Sequence, residues 1–466
     1  MFSAADVETA TAGTLANGPK DAMFNKVSID TRTLQTGDIF FAIQGPNLDG
    51  HRFIPAALAK GALGAVAAKS YQYPEEFPGG HVLIQVEDTH KALKDLAAWT
   101  RRRWAGTLVA ITGSMGKTTT REFVTQVLRS QFSVYQTPGN YNNLFGLPLA
   151  LLGLAPEHDL GIFEMGMSAP REIAEMCRIA APDIGIITNV APVHLQFFNS
   201  IEDIARAKGE LAQALPPDGE LIYNIDDTLV SEIANRFSGR KISFGFSEHA
   251  DIRASHIRIV SLSETRFRLS YAETACEAAI PLPGAHFVMN ALPAVALGLR
   301  RNIPLDKIVD SLARLQQASM RGQILRFKEG FSVIDDSYNS NPRALMSMIE
   351  LLAKMPSFAR RILVAGEMLE LGNDSDSLHA ECGAYAAKSG LDLVIGIQGA
   401  ARRIVDAAVN AGLPESHVRF FPTSAEASNF ISAEIRKGDL VLVKGSRGVH
   451  TEKIIQSLRS HFELSQ

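Results

Sequence analysis

The sequence predicts an α/β fold with three domains. Its 466 residues correspond to two to four domains at about 100–200 residues each. Apolar residues make up 46% of the chain, which is enough to bury substantial cores. Short apolar runs alternate with helical patterns over long stretches, and this favours parallel sheets covered by helices. We predict a small mixed α/β domain over residues 1–87, a central parallel-sheet domain of the P-loop type over 88–316, and a Rossmann-like domain over 317–466.

The first domain contains two β-like runs, "DIFFAI" and "AVAA", with the helix-like "RFIPAALAKGA" between them. In the following segment, "THKALKDLAAWTRRRW", helical spacing places Leu93, Leu96, Ala97 and Trp104 on one face. This helix leads into a strand over residues 108–111. We therefore place the domain boundary before the helix.

The central domain alternates strands with helices. The predicted strands are "TLVAIT", "GIFEMG", "DIGIITNV" and "ELIYNID", and the helices are "REFVTQVLRS", "REIAEMCRIA" and "IEDIARAKGELAQAL". The last domain repeats the pattern with the strands "RILVAGEM", "DLVIGIQG", "VRFFP" and "DLVLVKGS" and the helices "SLHAECGAYAAKS" and "AARRIVDAAVNAG". The alternation predicts a parallel sheet in each domain, with helices on both faces.

Composition excludes several classes of function. A formal net charge of −4 gives no global attraction to nucleic acid or to an anionic membrane. The N-terminus lacks a signal-peptide pattern, and "LFGLPLALLGLAP" is too short and too broken by Gly and Pro to span a bilayer. We expect a soluble cytoplasmic protein without nucleic-acid partners.

The three cysteines are expected to be buried structural thiols, because Cys177, Cys276 and Cys382 lack the C-x-x-C spacing of a metal site.

The stretch "LVAITGSMGKTTT" predicts a phosphate-binding loop with unusual spacing. A common P-loop reads G-x-x-x-x-G-K-[ST], whereas here only Ser114 and Met115 separate Gly113 from Gly116. A strand precedes the loop and a helix follows it, so backbone N–H groups and the helix N-terminus would converge on one anion site. The lysine at position 117 could reach terminal phosphates, and the next threonine could bind Mg²⁺.

Three further residues follow later strands of the same predicted sheet. Glu164 in "FEMG" would be a hard oxygen ligand for Mg²⁺. His194 in "NVAPVHL" fits a structural histidine as well as a ligand, and Lys208 in "RAKGE" by itself fits a solvated helix residue. Because ligands gather at the carboxyl ends of parallel strands, all three could face the loop.

Several motifs together resemble the Mur ligase family, the ATP-dependent amide-forming enzymes of bacterial peptidoglycan synthesis. They are "TGSMGKTTT", "GNYNNLFGLPL", "EMG", "NVAPVHL", "AKGE", "GAHFVMNALPAVA", "MRGQ" and "DDSYNSNP", in that order and over nearly the whole chain. The shortened loop is that family's version. Within the family, "SIDTRTLQTGDIFFAIQGPNLDGHRF", "GEMLELG" and "VKGSRG" are most similar to the member that joins D-alanyl-D-alanine to UDP-N-acetylmuramoyl-tripeptide.

The resemblance implies a role for each domain. The first domain would hold the UDP-muramoyl peptide, the central domain would bind ATP with two Mg²⁺ ions, and the mobile last domain would bring the dipeptide. ATP would phosphorylate the terminal carboxylate of the tripeptide, and the dipeptide amine would attack the resulting acyl phosphate, which leaves ADP and phosphate. Domain closure would exclude water from this intermediate. We expect a monomer.

The resemblance also implies roles for individual residues. The ATP site would contain Gly113, Ser114, Met115, Gly116, Lys117, Thr118, Thr119, Asn290, Arg321 and Asp336. The metal ligands would be Thr118, Glu164, His194 and Lys208, with Lys208 carbamylated and therefore carboxylate-like. The catalytic residues would be Lys117, His194 and Lys208. Residues near the UDP-sugar and the peptide would be Ser28, Asp30, Arg32, Asp49, His51, Asn140, Asn142 and Asn143. Those near the dipeptide would be Tyr338, Asn339 and Asn341, with Asp336 beside them.

Some questions stay open at the level of sequence. "KGSRGVHTEK" differs from the expected "KGSRSMRMEK" pattern, so roles past Arg447 are not assigned, and neither is the third residue of the tripeptide, meso-diaminopimelate or L-lysine. Alternatives are a folylpolyglutamate synthase, another Mur ligase, or a P-loop protein that uses ATP to change shape without making a bond. The N-terminal domain and "DDSYNSNP" argue against the first two. A requirement for both an acid and an amine in ADP release would exclude the third.

Overall fold

The computed structural model describes residues 1–45, 48–72, 77–192, 196–198, 200–316, 318–355 and 357–465. The chain forms two compact units. The first joins Met1–Thr112, Phe132–Gly185 and Glu210–Glu220, and the second joins Gly113–Gln131, Ile186–Gly209 and Leu221–Gln466. Both units contain parallel strands with helices between them, which confirms the predicted α/β class. The three predicted domain boundaries stay a prediction.

The strands and helices follow in chain order. The strands are β1 (Phe2–Ser3), β2 (Thr14–Asn17), β3 (Met23–Phe24), β4 (Val27–Ser28), β5 (Ile39–Phe41), β6 (Gly64–Ala68), β7 (Val82–Val86), β8 (Thr107–Thr112), β9 (Val134–Gln136), β10 (Leu160–Glu164), β11 (Ile184–Ile187), β12 (Glu220–Asn224), β13 (Arg240–Gly245), β14 (Ile252–Ser261), β15 (Glu264–Tyr271), β16 (Thr274–Ile280), β17 (Gln323–Arg326), β18 (Ser332–Asp336), β19 (Arg360–Gly366), β20 (Leu393–Ile397), β21 (Val418–Phe421) and β22 (Asp439–Lys444). The helices are α1 (Ala4–Thr11), α2 (Ile54–Ala59), α3 (Thr89–Arg103), α4 (Lys117–Leu128), α5 (Gly146–Leu151), α6 (Glu172–Ala180), α7 (Ile201–Ala214), α8 (Thr228–Arg236), α9 (Ala285–Arg300), α10 (Leu305–Leu312), α11 (Pro342–Lys354), α12 (Ser375–Lys388), α13 (Ala401–Asn410), α14 (Ser424–Glu434) and α15 (Glu452–His461).

The N-terminal part of the first unit is a mixed five-stranded sheet in the order β2-β7-β6-β5-β4. The strands from β4 to β7 pair in parallel, and β2 adds antiparallel to β7. Helix α3 packs Leu93 and Leu96 against Ile84 and Val66 of this sheet. The predicted apolar face of α3 is therefore confirmed for Leu93 and Leu96, whereas Trp104 lies just after the helix as its C-cap. The carboxylate of Asp88 caps the helix by accepting from the backbone N–H groups of its first turn.

A second set of parallel strands in the first unit has the order β8-β10-β9. Glu164 is the last residue of β10 and pairs with Ile111 of β8. The apolar runs of β8 and β10 are buried along nearly their whole length, as expected for a parallel sheet with both faces covered. This arrangement places Glu164 at the carboxyl end of its strand, where the sequence predicts it.

The second unit contains a feature that differs from the parallel sheet predicted for the central domain, residues 88–316. Strands β14, β15 and β16 form an antiparallel meander joined to the parallel β13. On β15, Phe267 and Leu269 are buried while Arg266 and Arg268 are exposed. Such alternation is typical of an antiparallel sheet with one face in solvent. The same alternation of polar and apolar residues is present in the sequence "ETRFRLSY", and its period of two is typical of a half-buried strand. The prediction of a parallel sheet was therefore wrong for this segment.

The C-terminal part of the second unit is a six-stranded sheet in the order β17-β18-β22-β19-β20-β21. All neighbouring pairs are parallel except the antiparallel edge strand β17. One face packs on α11, α12 and α13, and the other packs on α14 and α15. Successive residues of a strand serve opposite faces, as Ile334 and Val333 do. The predicted Rossmann-like sheet is confirmed.

The three cysteines differ in their surroundings. Cys177 and Cys382 are buried, and burial raises the pKa of each thiol to about 12, as a structural thiol requires. Cys276 is only half-buried, because it lies on β16 at the edge of the meander. The prediction of a buried thiol was therefore wrong for Cys276.

The helices of the chain are short or polar. Within the part of the chain that the structure describes, none is both long and apolar enough to cross a bilayer.

Candidate active site

The loop between β8 and α4 depends on its two glycines. Gly113 and Gly116 have φ angles of +151° and +78°, which side-chain-bearing residues rarely adopt. A Cβ atom on Gly113 would lie 1.9 Å from Thr188 Oγ1, and one on Gly116 would lie 2.3 Å from Asn290 Oδ1. Helix α4 begins directly after Gly116. The loop therefore delivers the positive end of the helix dipole to a tight backbone turn.

The residues after β11 hold this loop. Asn189 accepts the N–H of Ser114 with its backbone carbonyl at 2.9 Å. Its side-chain Oδ1 accepts the N–H of Met115 at 2.9 Å, and its Nδ2 donates to the Met115 carbonyl at 3.1 Å. Thr188 Oγ1 donates to the same carbonyl at 2.6 Å. The loop is thus fixed by a neighbouring segment and not by its own residues alone.

Two predicted lysines come together in the second unit. Lys117 folds back to donate to the carbonyl of Gly113 at 2.7 Å. Lys208, on α7, is only 2% exposed. Burial lowers the pKa of the Lys208 amine well below its ordinary value, and the positive charge of Lys117 lowers it further. The Lys117 cation at a helix N-terminus is a site that favours anions.

Glu164 in the first unit is a buried and oriented carboxylate. It is 2% exposed, and its Oε1 accepts from Asn142 Nδ2 at 2.8 Å. The backbone carbonyl of Asn140 accepts the N–H of Asn142 at 2.7 Å. The side chain of Asn143 instead accepts from the backbone N–H groups at positions 145 and 146. In this structure Asn143 therefore stabilises a turn, whereas Asn142 orients Glu164.

The N-terminal candidates form two pairs after neighbouring parallel strands. In the first pair, which follows β4, Arg32 donates hydrogen bonds to both carboxylate oxygens of Asp30. The hydroxyl of Ser28 bonds to the backbone of Asp30. This salt bridge is exposed, and hydrogen bonds from Arg32 lower the pKa of the Asp30 carboxyl group. In the second pair, the Nδ1 of His51 lies 2.6 Å from Asp49 Oδ1.

The ring of His51 is fully engaged by the protein. Its Nε2 accepts the N–H of Ala68 at 2.9 Å, so the proton is on Nδ1, which donates to Asp49. This bond lowers the pKa of the Asp49 carboxyl group. Because the side chain is also nearly inaccessible, His51 orients Asp49, and of these four side chains only Asp30, Arg32 and Asp49 present polar groups to solvent.

The C-terminal candidates gather where β18 and its neighbour β22 end. The buried Lys444 donates to Asp336 Oδ2 at 2.5 Å and to the carbonyl of Asn339 at 2.9 Å. The guanidinium of Arg321 lies 4.0 Å from the ring centroid of Tyr338, in a cation–π contact. The structure thus brings together the predicted residues from "MRGQ" and "DDSYNSNP" around a lysine that sequence reasoning did not select.

Comparison with known proteins decides the family. The chain matches the Mur ligase middle domain over residues 111–298, the Mur ligase glutamate ligase domain over 320–447, and the Mur ligase family catalytic domain over 24–101. The chain belongs to the Mur ligase family. It is 34% identical to the UDP-N-acetylmuramoyl-tripeptide–D-alanyl-D-alanine ligase of Bacillus subtilis (strain 168), over 96% of each protein. It is 32% identical to the enzyme of the same name from Escherichia coli (strain K12), over 95% of each.

Solved structures agree with this membership. MurF from Acinetobacter baumannii superimposes with a TM-score of 0.87 at 29% identity, over 98% of this Mur ligase and 99% of that chain. MurF ligase from Thermotoga maritima, solved in complex with ADP, gives a TM-score of 0.83 at 27% identity, over 95% and 99% of the two chains. The fold of this Mur ligase is therefore the fold of those enzymes.

Two of the predicted metal ligands, one in each unit, are oxygen donors of the kind that Mg²⁺ prefers. Thr118 is nearly buried in the first turn of α4, with Thr119 next to it, and Glu164 supplies a buried carboxylate. His194 lies outside the described residues. Among those described, no cluster of three or more His, Cys, Asp or Glu side chains could hold a metal ion.

Two residues that contact the predicted site residues were not predicted from the sequence, Asn189 and Lys444. Asn189 stands in the quoted motif "NVAPVHL" and Lys444 in "VKGSRG", yet neither was assigned a role. A single asparagine after a strand is typical of a residue that stabilises a turn. A lysine at the end of an apolar strand is typical of a side chain exposed to solvent. A polar residue at or just beyond the carboxyl end of a buried parallel strand is the sequence signal that indicates both residues.

Asn341 lies at the start of a helix, unlike the other residues predicted to contact the dipeptide. Its Oδ1 accepts the N–H of Ala344 at 2.9 Å, which makes it the N-cap of α11, with proline at the first helical position. Asn339 Oδ1 accepts the N–H of the next residue. Their predicted contacts with the dipeptide remain predictions.

Proposed function

We propose that this Mur ligase joins D-alanyl-D-alanine to the terminal carboxylate of UDP-N-acetylmuramoyl-tripeptide, with ATP converted to ADP and phosphate. The observation that carries the proposal is similarity along 95–96% of the chain to relatives that bear this name. The match includes the N-terminal and C-terminal regions, where the two substrates would be told apart. We assign the UDP-muramoyl peptide to residues 1–87, the nucleotide to 88–316 and the dipeptide to 317–466, and place the reaction in the cytoplasm.

The chemistry requires an activated carboxyl group. A carboxylate is a poor acyl donor, so its oxygen first takes the terminal phosphoryl group of ATP to form an acyl phosphate. The amine of the dipeptide then attacks the carbonyl carbon, a tetrahedral intermediate forms, and phosphate leaves as the amide is made. Lys117 and the N-terminus of α4 would offset negative charge on the transferring group. The loop geometry supports this role because it presents both at one point.

Magnesium is the cation that the donor set fits. We propose Thr118, Glu164, His194 and carbamylated Lys208 as the groups that would hold two Mg²⁺ ions, which would supply Lewis-acid stabilisation of phosphoryl oxygens. Carbamylation needs the lone pair of a neutral amine. The lowered pKa of the Lys208 amine supports the modification, since it increases the share of the neutral form.

The proposal is tested by supplying ATP, magnesium and defined UDP-muramoyl tripeptides with one amine at a time. The amines are D-alanyl-D-alanine, D-alanine, meso-diaminopimelate and D-glutamate, and the product is identified by mass. We expect ligation of the dipeptide alone, because a site that hydrogen-bonds its extra amide rejects an amine that leaves those groups unpaired.

Two outcomes would contradict the proposal. Equal ligation of a single amino acid would place the enzyme at another step of peptidoglycan synthesis. Release of ADP without acid or amine would favour a nucleotide-driven switch. Parallel reactions with tripeptides ending in meso-diaminopimelate and in L-lysine would identify the accepted third residue.

A further inference from the structure

We infer that Asn189 is a positioning residue for the nucleotide site. It holds the shortened phosphate loop so that the N-terminus of α4, and not the N–H groups of Ser114 and Met115, faces the phosphates. The inference rests on the proposed use of ATP and goes beyond it, because it assigns a role to a residue that contacts the loop from outside.

The hydrogen bonds between Asn189 and the loop resemble those of a paired strand. Its side-chain amide binds both the N–H and the carbonyl of Met115, at 2.9 and 3.1 Å, while its own carbonyl takes the N–H of Ser114 at 2.9 Å. Two residues later, the backbone N–H and carbonyl of Ala191 bond to Ser114 Oγ at 2.8 and 3.0 Å. Both residues between the loop glycines are therefore bound to one short segment.

That segment is itself anchored on both sides of Asn189. The carbonyl of Thr188 accepts from Asn224 Nδ2 at 2.9 Å. The N–H of Val190 donates to Asp227 Oδ2 at 2.8 Å, and the other oxygen of this carboxylate caps α8. Asn189 thus extends from a rigid base, which is the condition for a side chain to position another element.

The orientation of the Met115 carbonyl affects how the loop binds an anion. The carbonyl accepts two hydrogen bonds, from Asn189 and from Thr188 Oγ1. If both were lost, the Met115–Gly116 peptide could rotate and direct its oxygen toward the phosphates, where it would repel them. Because the N–H groups of Ser114 and Met115 already donate to Asn189, the loop leaves anion binding to α4 and to Lys117.

The test measures ADP binding in the presence of magnesium by calorimetry, without ligation. We compare Asn189→Ala, Asn189→Asp, Thr188→Val and Thr188→Ser with the unchanged enzyme. Asn189→Asp keeps the size and one acceptor but loses the donor to the Met115 carbonyl. Asn189→Ala loses both side-chain hydrogen bonds to Met115 and should bind ADP about tenfold more weakly or worse, whereas Asn189→Asp loses one of them and should be weakened less. Thr188→Ser, which keeps the hydroxyl, should bind more tightly than Thr188→Val.

A matched control and a steady-state readout separate positioning from general stability. Asn17 also donates its side-chain amide to a backbone carbonyl, that of His81 at 2.7 Å, but in the first unit. Asn17→Ala should leave ADP affinity unchanged. In the Asn189 variants the KM for ATP should rise with little change in the KM for the dipeptide.

Two results would overturn the inference. The first is unchanged ADP affinity in folded Asn189→Ala, and the second is an equal rise of every KM in step with lost thermal stability. Failure of the unchanged enzyme to bind ADP would instead contradict the proposed function.

Discussion

The proposed chemical role of Lys208 opposes the stability of the folded chain. Lys208 is 2% exposed in the folded chain, where burial and the charge of Lys117 disfavour its protonated form, while water solvates that form in the unfolded chain. Its pKa is therefore lower in the folded state. Between that value and the ordinary lysine pKa, the unfolded state binds one more proton, so stability falls as the pH falls. Such a cost is expected where function requires the group.

This conflict predicts the behaviour of Lys208→Met in the absence of nucleotide, metal and dissolved carbon dioxide. The variant should be more stable than the unchanged enzyme, and the gain should be larger at pH 7 than at pH 10, where the unfolded lysine also approaches neutrality. Thermal unfolding at the two pH values measures this. The exposed Lys241→Met serves as the control and should show no such difference. An equal gain at both pH values would show that lost charge is not the cause.

The same substitution site tests the proposed modification. Lys208→Ala should be nearly inactive and partly rescued by added formate or acetate, whose carboxylate can take the position of the carbamate near the metal. Lys241→Ala should retain activity with or without these anions. Full activity of Lys208→Ala would contradict carbamylation.

At the scale of elements, α11 shows how one side chain can serve a helix and a ligand. Asn341 caps the helix, and the sequence resemblance implies that it also contacts the dipeptide. Asn341→Ala should therefore lower stability by about 1 kcal/mol and raise the KM for D-alanyl-D-alanine much more than that for ATP.

Asn341→Asp separates the two roles, because aspartate caps helices as well as asparagine does but lacks the amide donor. We expect it to restore the thermal transition and to leave the KM for the dipeptide raised. If Asn341→Asp restored both, Asn341 would act on the dipeptide only through the position of α11.

The elements that could be predicted from sequence are those whose signals are local. Strand β8, its glycine turn and α4 follow each other directly, so spacing alone predicts them. The meander β14–β16 was equally local and was missed because its alternation was not weighed against the parallel pattern around it. Asn189 and the burial of Lys208 could not be predicted in this way. Asn189 bonds to a residue 74 positions earlier, and only the tertiary fold brings such partners together.

At the scale of the whole molecule, the proposal assigns the nucleotide and the UDP-muramoyl peptide to different parts of the chain, so the effect of each ligand on stability can be measured separately. A ligand stabilises the folded state according to its concentration relative to its dissociation constant, by about 2.7 kcal/mol at a hundredfold excess. In the unchanged enzyme, ADP with magnesium and UDP-muramoyl tripeptide should each raise the temperature of unfolding, by a few degrees.

Lys117→Ala removes a cation that would contact phosphate but little core packing. We predict that it loses the shift caused by ADP, keeps the shift caused by the UDP-muramoyl tripeptide, and unfolds without ligand close to the unchanged enzyme. Turnover should fall about 10²-fold or more, on the scale of a lost transition-state contact. Scanning calorimetry with each ligand measures all three transitions, and Lys241→Ala is the matched control. Loss of both ligand shifts would mean that Lys117 supports the fold, whereas retention of the ADP shift together with normal turnover would remove the phosphate loop from the mechanism.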